Sequence, residues 1–208
     1  MIIGITGGIG SGKSVIARQL RKMGYSVYDT DSEAKRIIVE DATVREQITA
    51  LFGEEVYKDG VYQTSFVAQQ VFADKNLLAK LNAIVHPAVK QDIITKFRSL
   101  GVLSEPSAPS EPLNSHPRGL FFIECAILFQ AGFDVLCDKV VAVTAPEDIR
   151  LERVIARDHS DMNKVRARMG AQEAEKDLQR ADIIINNDGN TPIPQLCEQL
   201  LLELKCEK

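Results

Sequence analysis

Met1-Ile2-Ile3-Gly4-Ile5-Thr6, followed without a break by Gly7-Gly8-Ile9-Gly10-Ser11-Gly12-Lys13-Ser14, decides how this chain is read. The first six residues are a short, mostly β-branched apolar run that ends at a glycine cluster. Such a run predicts a buried strand entering a tight loop. The next eight satisfy G-x-x-x-x-G-K-[ST]. From Ser14 onward Ile16, Leu20 and Met23 recur at helical spacing, and Gly24 supplies a stop. The pattern therefore sits between a strand and a helix, where its mechanism requires it. Glycines let successive backbone N–H groups converge on an anion with no Cβ in the way. The helix that follows offers unpaired N–H donors and a partial positive charge to the same anion. Lys13 adds a mobile cation for the β- and γ-phosphates of ATP, and the Ser14 hydroxyl is a ligand for Mg²⁺. Gly8, Ile9, Gly10, Ser11, Gly12, Lys13 and Ser14 are thus the expected nucleotide site.

Working outward, Ser26-Val27-Tyr28 predicts a second strand. Leu120–Ile123, Val140–Val143 and Ile183–Ile185 predict three more. Helical stretches separate them, and strands alternating with helices imply parallel pairing with helices on both faces. Residues 43–98 carry only helical spacings, such as Val44, Ile48 and Leu51, or Val89, Ile93 and Phe97. They predict a helical excursion from the sheet. Residues 99–119 hold four of the eight prolines among serines and predict a loop.

The 208 residues suit one domain, and folding at this length buries roughly 70% of the unfolded chain's surface. A net charge of −4 argues against broad binding to nucleic acid or to an anionic membrane, either of which needs a basic face. The four cysteines form no C-x-x-C pair and the three histidines are scattered, so neither a zinc site nor a disulfide framework is expected. No apolar run is long enough to span a bilayer, and the start lacks the order of a signal peptide. The chain reads as cytoplasmic and monomeric.

Between Arg150 and Gly170 stand six basic residues (Arg150, Arg153, Arg157, Lys164, Arg166, Arg168) and three acids, a local +3. Arg150, Arg153 and Arg157 are spaced to share a helix face. Phosphoryl transfer spreads negative charge over the migrating group, and arginines present planar donors to it. This segment, within a lid expected over 147–180, predicts a small-molecule kinase. A kinase also needs a group to orient the acceptor hydroxyl. Asp31, just past the second strand, fits as a general base, with helix N-capping as its competing role. Glu124 ends the third strand and fits either a water-mediated contact to Mg²⁺ or a structural hydrogen bond. His86, before Pro87, reads on its own as a helix-start or packing residue. Two other classes stay open on these residues alone: a nucleoside or nucleotide monophosphate kinase, and a non-catalytic ATP-binding switch.

The order of motifs resembles that of the dephospho-CoA kinase family over nearly the whole chain. The opening through Ser14 is similar to the family's T-G-G-I-G-S-G-K-S, and Val27-Tyr28-Asp29-Thr30-Asp31 to its V-x-D-x-D. Val71-Phe72 and Leu81-Asn82-Ala83-Ile84-Val85-His86-Pro87 resemble its acceptor-region motifs. Leu151-Glu152-Arg153 with Arg157-Asp158 is similar to its lid, and Ala181-Asp182 through Ile185-Asn186-Asn187-Asp188-Gly189 to A-D-x-x-I-x-N-x-G. The resemblance implies an α/β fold of the three-layer P-loop kinase type. Its five-stranded parallel sheet is flanked by helices, with a helical acceptor-binding insertion and a lid. It implies ATP and dephospho-CoA as substrates, with Mg²⁺. It implies Asp31 as base, Lys13 and Arg153 on the phosphates with Arg157 assisting, and Asn187 beside the adenine. Thr6, Asp31 and His86 fall on the acceptor side. The chain departs from the family's pattern with Ala126 and Gln130 in place of Pro and Glu, with Arg150 for a frequent Gln, and with Thr64 for a frequent Arg.

Overall fold

The computed structural model describes residues 1–101, 119–158, 161–170 and 178–206. The predicted loop 99–119 lies almost wholly outside them, as do parts of the predicted lid. The chain divides into two compact units, Met1–Tyr28 with Glu111–Lys208, and Asp29–Ser110.

The first unit is built on a five-stranded parallel sheet of order β2-β3-β1-β4-β5. The strands are β1 (Ile2–Thr6), β2 (Ser26–Asp29, whose last residue opens the second unit), β3 (Phe121–Glu124), β4 (Lys139–Thr144) and β5 (Ile183–Asn186). All five predicted strands are present. β1 is central and every residue in it is buried, which is why its run is continuously apolar. Its register with β3 sets Ile5 opposite Glu124, and its register with β4 sets Thr6 opposite Ala142. β5 lies at the edge and alternates buried with exposed residues. On one face Ile3, Ile5, Val141 and Val143 pack with Ile16 and Leu20 of α1 (Lys13–Lys22). Leu196 and Leu200 of α8 (Ile193–Cys206) complete that cluster. Each fully buried side chain of this kind contributes roughly 1.5–3 kcal/mol. The opposite face is closed near Gly4 by Leu128 and Cys137: a Cβ at Gly4 would come within 2.6 Å of Leu128 and 2.9 Å of Cys137 Sγ.

Two aspartates tie strand starts. The Ile2 N–H donates to Asp138 Oδ2 at 2.6 Å, and the Val140 N–H donates to Asp182 Oδ2 at 2.7 Å. The aspartate of the A-D motif is therefore a sheet fastener. Two further helices, α6 (Glu147–Asp158) and α7 (Met162–Gly170), meet through Leu151, Val154, Val165 and Met169.

The second unit is helical, with α2 (Thr30–Glu40), α3 (Ala42–Phe52), a short 3₁₀ turn, α4 (Thr64–Ala73) and α5 (Lys75–Ser99). It includes the predicted 43–98 region and begins earlier, at Asp29. Aspartates cap three helices: Asp29 accepts from Ser32 N–H, Asp41 from Val44 N–H and Asp74 from Asn76 N–H. Val85, Val89, Ile93 and Phe97 form the buried stripe of α5. Pro87 is exposed, off that stripe, so α5 runs through it. His86 therefore lies inside a helix and does not start one; Asp74 is the cap. No helix among the described residues is long and apolar enough to cross a membrane.

Candidate active site

The loop between β1 and α1 is shaped by its own glycines. Gly10 and Gly12 have φ of +80° and +94°, the left-handed region that a side chain disfavours. Space is short as well. A Cβ at Gly10 would come within 2.5 Å of the Arg150 carbonyl oxygen, and one at Gly12 would collide with Asn187 Nδ2. Within the loop the Ser11 N–H donates to the Gly8 carbonyl at 3.1 Å. Gly12 is the N-cap of α1, with no side-chain cap and no acidic residue in the first turn. No acid of α1 itself therefore opposes its positive pole, which suits an external anion. Lys13 is half-buried and Ser14 exposed at the same helix start.

Ser14 Oγ donates to Glu124 Oε1 at 2.5 Å. The register that sets Glu124 opposite Ile5 brings this carboxylate to the carboxyl end of β3, beside the start of α1. Glu124 is buried. The two roles weighed for it are compatible. A hydroxyl whose proton is engaged by a carboxylate keeps its lone pairs for a cation, and a hydroxyl beside a carboxylate is the hard oxygen donor set that Mg²⁺ selects.

α6 is hydrogen-bonded to the loop directly through Arg150 and indirectly through Arg153 and Asn187. Arg150 Nε donates to the Ile9 carbonyl at 2.9 Å. Arg153 Nη1 donates to the Asn187 carbonyl at 3.0 Å, and Asn187 Nδ2 donates to the Ser11 carbonyl at 2.8 Å. Ile9 itself packs against the Leu151, Val154, Val165 and Met169 cluster. Half-burial lowers the pKa of Arg150, with nearby Glu147 opposing the shift. Arg157, on the same helix, bridges Asp158 at 2.6 Å instead of reaching the loop. Thr6 and Ser11 are wholly enclosed, and neither hydroxyl has a hydrogen-bond partner among the described residues. Thr6 thus stands beneath the loop, at the end of β1.

The first unit therefore gathers Gly8–Ser14, Arg153 and Asn187 of the predicted set. It adds Glu124, weighed as a metal contact, and Arg150, noted as a departure from the family's pattern. The loop's attachment through Ile9 had no sequence signal beyond an apolar residue in a polar loop. Asp31 and His86 belong to the second unit. Asp31 is exposed in the first turn of α2 while Asp29 performs the capping, so the competing role falls to its neighbour. Burial lowers the pKa of His86.

The family model described as CoaE, dephospho-CoA kinase, matches residues 1–192. A dephospho-CoA kinase from Porphyromonas gingivalis is 41% identical over 197 residues, covering 93% of this chain and 90% of that protein. A crystal structure from Thermus thermophilus superposes with a TM-score of 0.78 at 32% identity, covering 99% of this chain and 97% of the other. A shikimate kinase from Bacteroides thetaiotaomicron shares the fold, with a TM-score of 0.56 at 14% identity, covering 99% and 98%.

Proposed function

The chain belongs to the dephospho-CoA kinase family, enzymes that phosphorylate the ribose 3′-hydroxyl of dephospho-CoA with ATP to give CoA and ADP, and on that premise we propose how its own residues divide the work. The loop Gly8–Ser14 holds the ATP phosphates. Its backbone donors and the start of α1 are fixed before the ligand arrives, so little reorganisation is needed at transfer. Lys13 and Arg153 neutralise the charge that spreads over the migrating phosphoryl group. Arg157 assists once its pairing with Asp158 is released. Asp31 accepts the proton of the 3′-hydroxyl as that oxygen attacks phosphorus. His86 serves the acceptor as a neutral imidazole, while Thr6, wholly enclosed at the end of β1, does not reach it.

The donor set at Ser14 and Glu124 fits Mg²⁺, which Ser14 would ligate directly and Glu124 would contact through water. When bound there, the ion neutralises charge on the β- and γ-phosphates. Glu124 also holds the Ser14 hydroxyl in place, which this chain does by itself. The enzyme works in the cytoplasm as a monomer, on free ATP and dephospho-CoA, with neither nucleic acid nor membrane as partner.

The observation that carries this reading is the loop geometry joined to Arg153 and Glu124 in one unit. The test is ADP release in a coupled assay with dephospho-CoA, adenosine, AMP or no acceptor. The expected result is release that requires dephospho-CoA. Equal release with AMP would favour a nucleotide monophosphate kinase, and ATP binding with no acceptor-dependent release would favour a switch.

A further inference from the structure

We infer that Asn187 is a positioning residue that locks the phosphate loop to Arg153, so that its effect falls on the phosphates and not on the base. The inference rests on the kinase reading of this site and deepens it. Asn187 is 3% exposed and follows β5 directly. Its backbone N–H donates to the Thr144 carbonyl at 2.8 Å, which fixes the main chain against the end of β4. Its side chain is engaged at both ends. Nδ2 donates to the Ser11 carbonyl at 2.8 Å, and Oδ1 accepts from Arg153 Nη2 at 3.5 Å. Arg153 Nη1 also donates to the Asn187 carbonyl. Chemistry allows only this orientation of the amide. Turned over, its oxygen would face the Ser11 carbonyl and its NH₂ would face a guanidinium, two like pairs. Contact with the loop is tight enough that Gly12 has no room for a Cβ against Nδ2.

The consequence for the phosphates follows from peptide geometry. A trans peptide holds its C=O and the next N–H antiparallel in one plane. Fixing the Ser11 carbonyl on Asn187 therefore fixes the Gly12 N–H to point the opposite way. Arg150 does the same two peptides earlier: by holding the Ile9 carbonyl it sets the Gly10 N–H. The loop's donors are thus aimed by side chains that grip its carbonyls from behind. Asn187 alone also holds a phosphate-facing cation, Arg153. Asn187 keeps one N–H and one Oδ1 lone pair beyond these contacts, and at 3% exposure little of either faces a base.

The test compares ATP with inorganic tripolyphosphate, which carries the phosphates and no base. Asn187→Leu removes both interactions at similar size. Asn187→Asp keeps an oxygen for Arg153 and loses the donor to Ser11. Thermal melts establish that each variant is folded, and if one fails to fold the other is read. Titration calorimetry on the full chain with Mg²⁺ then measures both ligands. The expected result is roughly tenfold weaker binding of ATP and of tripolyphosphate alike, because a loop that is no longer preorganised must be ordered by the ligand. In an Arg153→Ala background the further loss from Asn187→Leu shrinks, because the two residues act as one. In turnover, kcat falls while KM for dephospho-CoA holds. Weaker ATP binding with tripolyphosphate unchanged would overturn the inference in favour of a base contact, and no change in either ligand would overturn it outright. If the unmodified protein bound neither ligand, the kinase reading itself would fall, and the inference with it.

Discussion

The two units are built from different parts of their chains. In the first, the phosphate site is made mainly of backbone. Loop N–H groups, a helix start and carbonyls gripped by Arg150 and Asn187 define it, and of its side chains only Lys13 and Ser14 stand at fixed offsets from the glycines. In the second, helices are capped by aspartates and joined by exposed charges. Arg36 alone pairs with Glu33, Glu40 and Asp92. Both units leave some apolar side chains in solvent, and Phe72 on α4, at 92% exposed, is the extreme among the described residues. A phosphate is the same in every nucleotide, so a site for it is rigid and written in glycines. An acceptor differs from enzyme to enzyme, and the helical unit proposed to serve it is written in side chains.

The sharpest way to break this comparison is to remove one side chain from each unit and ask whether both are needed for turnover. Lys13→Ala should abolish acceptor-dependent ADP release while the circular dichroism melt stays close to that of the unmodified protein. Retained turnover would detach the loop from catalysis. Asp31→Asn should lower kcat by roughly 10²–10⁴, the span of general-base loss. A fall under about threefold would leave Asp31 with no catalytic role. Capping cannot then be invoked for it, because Asp29 performs that role.

Glu124 tests whether the first unit is only backbone. Its contact with Ser14 predicts that Glu124→Gln raises the Mg²⁺ concentration needed for half-maximal rate by about 10–100-fold, the usual cost of losing an outer-shell partner of a metal ligand. ATP affinity measured without Mg²⁺ should be unchanged. Loss of ATP affinity in the absence of the metal would mean that Glu124 supports the loop and not the ion.

Most of the first unit was legible in the amino-acid order because its constraints are local. The β-branched run of β1, the glycine spacing and the helical period of Ile16 and Leu20 each dictate one element, and all five strands stand where those runs lie. Glu124 was visible as a strand-terminal acid, but its partner Ser14 emerges only from the register of β1 with β3. Asn187 stood out through a motif, yet its grip on Ser11 joins residues 176 positions apart. No spacing rule reaches that far. Of the two roles weighed for His86, packing fits its half-burial inside α5 and helix start does not, for the opposite reason. A proline is a strong local stop signal, but Pro87 faces solvent while Val85 and Val89 on either side are buried, and packing carries the helix through. Arg157 shared a helix face with Arg150 and Arg153 by spacing, and a neighbouring carboxylate claimed it.

The smallest expected effect lies in the second unit's charges. The Arg36 guanidinium beside Glu33 holds that carboxyl below its ordinary value, with Lys96 adding to the shift and burial opposing it. A carboxylate whose folded pKa is depressed contributes stability that is fully present above its unfolded pKa. That stability is lost as pH falls through the folded value, so the window here lies below about pH 4.5. Arg36 is 41% exposed, and its pairs are screened by water and salt. Arg36→Met should therefore cost no more than about 1 kcal/mol at neutral pH. Urea unfolding should show the loss at low ionic strength, and most of it should vanish in 1 M salt, where charges are screened within roughly 3 Å. The difference between variant and unmodified protein should also shrink as pH drops below the Glu33 range. A loss that persisted in high salt and in acid would show that Arg36 holds α2 and α5 together through its aliphatic stem, and the second unit would then rest on packing as firmly as the first.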